Sequence, residues 1–192
     1  MPVSAHRVCR GELVSSVRLP AAGIRPALLL AFLVLAALPL RAGEPAWQVG
    51  VSYGKYGIFR GQEAVEGGWE VRFAPRRFRF LPDSWPDLMP VAGGMATGQG
   101  TVYAYGGVRA DIALEGRWVL SPSWGMGIYY FGDGRDLGGA LEFRSGFEVS
   151  YRLDRGDRIG LCLYHLSNAA IYNRNPGSES LVLSYTAVLG PR

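Results

Sequence analysis

Three features of the chain predict an all-β fold, an eight-stranded antiparallel transmembrane β-barrel of the outer membrane. Successive segments alternate apolar and polar side chains with a period of two, as a strand does when its two faces meet different environments. The segments are about ten residues long, within the roughly nine to eleven that cross a bilayer at a tilt. Aromatic residues gather at their ends, as at the two interfaces of a membrane barrel. The composition agrees: 27 Gly, ten Tyr and five Trp stand out in 192 residues, and from Trp47 onward no stretch has the period of an amphipathic helix.

Residues 1–42 are of another kind. Arg7, Arg10, Arg18 and Arg25 precede an apolar run from Ala27 to Leu40, and the small residues Ala42 and Gly43 follow. That order is the order of a secretory signal peptide, and the run is shorter than the roughly twenty residues of a spanning helix. Cleavage is expected near Ala42, leaving a barrel domain over 43–192. The leader holds five Arg and one Glu, so 20 basic and 16 acidic residues become 15 of each in the remainder. A neutral chain without a polybasic patch has no electrostatic footprint for nucleic acid. Cys9 leaves with the leader, and Cys162 alone cannot form an intramolecular disulfide.

The strands follow in order. Trp47, Val49, Val51 and Tyr53 oppose Gln48, Gly50, Ser52 and Gly54; Trp69, Val71 and Phe73 oppose Glu70 and Arg72. A weaker segment spans Leu88 to Thr97, where Pro90 and Gly93-Gly94 blur the pattern. Over 102–112, Val102, Ala104, Val108, Ala110 and Ile112 oppose Tyr103, Tyr105, Arg109 and Asp111. Trp118, Leu120, Trp124, Met126, Ile128 and Tyr130 oppose Ser121, Ser123, Gly125 and Gly127. The clearest alternation is 141–153, with Leu141, Phe143, Phe147, Val149, Tyr151 and Leu153 on one face and Glu142, Arg144, Glu148, Ser150 and Arg152 on the other. Strands over 157–167 and 179–189 complete eight. A soluble sandwich also alternates, but the strand lengths, the aromatic ends and the opposite charges able to pair in a narrow lumen favour the barrel.

The last two strands carry chemistry. His165 and Ser167 share parity with Ile159, Leu161 and Leu163, and Glu179 shares parity with Leu181, Leu183 and Tyr185. All three polar groups therefore project from the apolar, lipid-facing side, at the same end of neighbouring strands. Ionisable groups directed toward lipid are costly and mark function by default. With both termini in the periplasm, the short Asp154-Arg155-Gly156 connection is periplasmic and the 168–178 connection external. The residue types suit acyl transfer: Ser167 as nucleophile, His165 as base and Glu179 as the group that orients the imidazole. Asn168, or nearby backbone N–H groups, would receive the oxyanion. The competing reading makes them rim residues exposed to headgroups. One His and one Glu do not make a metal site.

The segment His165-Leu166-Ser167-Asn168-Ala169, the Asn175-Pro176-Gly177 loop and Glu179 resemble the signature of the lipid A 3-O-deacylase (PagL-type) family. Gly132-Asp133-Gly134, Asp136-Leu137-Gly138 and Leu141-Glu142-Phe143-Arg144-Ser145-Gly146 resemble it too. The resemblance implies a barrel enzyme that removes the ester-linked acyl chain at the 3-position of lipid A in lipopolysaccharide, with no cofactor. It implies His165, Ser167 and Glu179 as catalytic residues and Asn168 and Ala170 as oxyanion positions. It also implies an outer-membrane location with the site toward the outer leaflet, and leaves a homodimer open. The chain departs from the pattern at Ala170, where the family carries Gly, and a Cβ there alters the backbone around the oxyanion donor. Rival expectations are a non-enzymatic barrel, adhesin or structural, and a phospholipase using the same residues.

Overall fold

The computed structural model describes residues 47–189 apart from Arg60 and Phe80. The leader expected over 1–42 lies outside the described residues. Eight strands run in chain order: β1 (Trp47–Tyr56), β2 (Ala64–Phe73), β3 (Leu88–Thr97), β4 (Val102–Ala110), β5 (Trp118–Tyr130), β6 (Leu141–Arg152), β7 (Arg158–Ser167) and β8 (Ser178–Leu189). Each pairs antiparallel with the next, and β1 pairs with β8 from Trp47↔Leu189 to Tyr56↔Ser180, which closes the barrel. Closure leaves no edge strand with unpaired backbone groups, the condition for a sheet in lipid.

The fourth predicted segment is one strand interrupted. Its continuation, Ile112–Ala113, pairs with β5, but Asp111 breaks the ladder. The register is the same on both sides of the break and sets Ala110 opposite Pro122, which has no N–H to give the ladder, while the Asp111 carboxylate accepts hydrogen bonds from Ser121 Oγ at 2.7 Å and from Arg158.

Alternation places the two solvents where the sequence predicts. Outward side chains such as Val51, Trp69, Trp124, Ile128, Leu161 and Leu183 are exposed, an apolar surface that reverses the arrangement of a water-soluble protein. Inward side chains form two layers. In one, Arg72 donates to Glu70 (2.7 Å) and Glu148 (3.0 Å), and Arg109 donates to Glu148 (2.7 Å). Tyr105 and Ser184 donate to the same two carboxylates. Arg144 lies over the rings of Tyr105 and Tyr164, at 4.9 and 4.2 Å. The other layer, toward the rim that carries the predicted site, is an aromatic and aliphatic plug that includes Tyr56, Tyr103, Tyr129, Leu137 and Leu166. Tyr129 donates to Arg135 O at 2.7 Å, so its oxygen accepts from Tyr56, also at 2.7 Å.

The buried charges of Arg72 and Arg109 are tolerable here because both guanidinium groups meet carboxylates in good geometry, and removing one partner leaves the others uncompensated. Arg72, Arg109 and Glu148 have side chains only 3% exposed. Glu148→Ala is expected to destabilise the barrel by about 3 kcal/mol, read as a lower urea midpoint for the folded species on unheated gels.

Candidate active site

The site is assembled by register. His165 on β7 and Glu179 on β8 are direct cross-strand partners, so their side chains rise from the same outward face. His165 Nδ1 lies 3.1 Å from Glu179 Oε1. A carboxylate can only accept, so Nδ1 carries a proton, and in the neutral ring the lone pair is then on Nε2. The imidazole is 38% exposed and the Glu179 side chain 15%, which leaves the ring accessible and the carboxylate mostly covered. Ser167 stands two residues on, half-buried on the same face and opposite Phe143 of β6. Among the described residues, no hydrogen bond joins Ser167 Oγ to the imidazole.

Immediately after Ser167 the chain makes a tight turn in which Ile171 N donates to Asn168 O at 3.0 Å. Its central residues, Ala169 and Ala170, have φ of 51° and 61°. Positive φ at both central positions defines a mirror-image turn that Gly, Asn and Asp normally supply. Alanine there costs roughly 1–2 kcal/mol per residue, because Cβ crowds the following carbonyl. The exposed N–H groups of Ala169 and Ala170 have no hydrogen-bond partner among the described residues.

Asn168 holds this turn. Its side chain is fully buried and donates to Leu137 O at 2.7 Å and Arg174 O at 2.8 Å. Its backbone N–H donates to Asn175 Oδ1 at 3.1 Å. The side-chain amide is thus engaged with neighbouring backbone and points inward, away from the face that carries His165 and Ser167. Asn168 ties the turn to two loops rather than offering a donor to the outside.

The sequence pattern did not reveal those loops' mutual contacts. The 131–140 loop docks on the 168–177 loop: Arg174 pairs with Asp136 at 2.9 Å, and Tyr172 Oη accepts from Leu141 N at 3.2 Å. Gly138 has a φ of 103°, and a Cβ there would run into the backbone of Arg174. Ala170 keeps the left-handed backbone a glycine would adopt freely. Ala170→Gly is therefore expected to stabilise the protein by about 1 kcal/mol, measured as a higher urea midpoint, without loss of activity.

Among the described residues, no three His, Cys, Asp or Glu side chains converge as metal ligands would. In comparisons with known proteins, a crystal structure of the outer membrane enzyme PagL is similar over 75% of this chain and 99% of its own, at 18% identity and a TM-score of 0.56. Neisserial surface protein A matches over 76% of this chain and 98% of its own, at 13% identity and a TM-score of 0.48. A de novo designed transmembrane β-barrel matches over 77% of this chain and all of its own, at 11% identity and a TM-score of 0.47. No curated protein matches the chain. The model of one family, lipid A 3-O-deacylase (PagL), matches residues 47–187, from the first described strand nearly to the end of the last, and the chain belongs to that family.

Proposed function

We propose that this chain hydrolyses the ester at the 3-position of lipid A, with Ser167 as nucleophile, His165 as general base and then acid, and Glu179 as the orienting carboxylate. The observation that carries this reading is the 3.1 Å Nδ1 to Oε1 contact between cross-strand partners on the lipid-facing side.

In the proposed reaction, rotation about the Ser167 χ1 bond brings Oγ to His165 Nε2 as the ester carbonyl settles against it; such bonds commonly tighten only in the substrate complex. Nε2 takes the hydroxyl proton as Oγ attacks the carbonyl carbon, and the new imidazolium is stabilised by Glu179. The oxyanion is received by the N–H groups of Ala169 and Ala170, whose strained turn exposes them one and two residues beyond the Asn168 anchor. His165 returns the proton to the departing sugar hydroxyl, then activates water to release the fatty acid from Ser167.

The substrate follows from the solvent. Leu161, Leu163, Leu181 and Leu183 share the face that bears the three groups, so an acyl chain can lie along the outside of the barrel while its ester reaches the rim. The lumen behind is filled by Leu137, Leu166 and Tyr164. With the termini in the periplasm, the rim that carries the 168–177 loop faces outward, where lipopolysaccharide resides.

Ser167→Ala is expected to leave a heat-modifiable barrel and to lower release of hydroxy fatty acid from purified lipopolysaccharide by at least about 10³-fold. Undiminished release would remove Ser167 from the reaction.

A further inference from the structure

We propose that Gly177 is a positioning residue for the imidazole, a role that rests on the reading of His165 as the base. The last register pair between β7 and β8 is Leu166↔Ser178, so Gly177 lies just beyond it, beside the level of Ser167. It is buried and has a φ of 64°. A Cβ built on Gly177 would come within 2.7 Å of His165 Cε1 and 3.3 Å of Nε2. The imidazole therefore occupies the space that any other residue at 177 would fill. One ring edge is held by Glu179 through Nδ1, and the edge carrying the reactive Nε2 rests on Gly177, two residues earlier in the chain.

The seat is itself fixed. Asn175 accepts the Asn168 N–H at 3.1 Å, so the Asn175-Pro176-Gly177 segment ties together the turn after Ser167 and the ring of the base. A methyl group at 177 would meet a side chain free to rotate about two bonds, not a wall of backbone. The ring would yield and swing away from Glu179, so the substitution acts on the chemistry more than on the barrel.

Gly177→Ala tests this, with Gly156→Ala as control. Gly156 also has a positive φ, 88°, but lies at the opposite rim, where a Cβ would meet only Val188 Cγ2 at 3.9 Å. Both substitutions carry the left-handed backbone penalty, and only one touches the imidazole. Gly177→Ala should lower kcat by about 100-fold, the cost of a displacement near 1 Å in a reacting group, with KM changed less than about threefold. Its folded barrel should also lose the low-field proton resonance of the hydrogen-bonded Nδ1–H. That signal belongs to one ring, because His6 and His165 are the only histidines and His6 precedes the barrel. Gly156→Ala should match the wild type in both readouts.

An unchanged resonance and kcat in Gly177→Ala would overturn the proposal, as would an equal loss in Gly156→Ala. Failure of Gly177→Ala alone to fold would also overturn it, by assigning Gly177 to the barrel rather than to the ring. The resonance reports the seat without reference to turnover. If Ser167→Ala stays active while Gly177→Ala loses the Nδ1–H signal, the catalytic reading fails and the positional one stands.

Discussion

The whole arrangement depends on one constraint, closure of an eight-stranded sheet, which sorts every strand side chain into lumen or lipid with nothing between. Closure satisfies the backbone inside the membrane, so side chains alone decide where polarity goes. Four inward charges are stable because they find one another: Arg72, Arg109, Glu70 and Glu148 form a single paired network. His165 and Glu179 are tolerated among leucines because they lie at a rim and because register makes them partners.

Seen from that constraint, the wall between β7 and β8 has two jobs on its two faces. The outer face presents His165 and Glu179, with Ser167 at the strand end. The inner face, with Leu166 and Tyr164 packed in the plug, gives those groups a stiff backing. Asn168 sits where the faces meet and turns inward to fasten the loops 131–140 and 168–177. The strained Ala169-Ala170 turn persists because this anchoring over-determines its backbone, the usual condition for strain at a site.

Strand positions were legible because period two needs no tertiary information, and Leu88–Thr97 emerged intact even through Pro90 and two glycines. The outward parity of His165, Ser167 and Glu179 was legible for the same reason. The break before Ile112 depends on Pro122 facing Ala110, which the sequence shows only once the register between the two strands is known; the Asp111 to Arg158 contact joins residues 47 apart in sequence and has no local signal. The expectation of an oxyanion donor at Asn168 or at nearby backbone N–H groups came from residue type and resemblance, and parity puts the 168 side chain with the inward positions 164 and 166. The role of Gly177 depends on a single missing Cβ beside a ring on the next strand, which no linear pattern encodes.

In the proposed function a lipid-facing triad acts on the lipid of the outer leaflet. Mass spectrometry of lipid A and phospholipids from cells with and without the protein tests it most directly. The expected result is lipid A lighter by one hydroxyacyl group, no change with Ser167→Ala, and phospholipids unaltered in every case. Intact lipid A beside a folded barrel, or deacylated phospholipids instead, would contradict it.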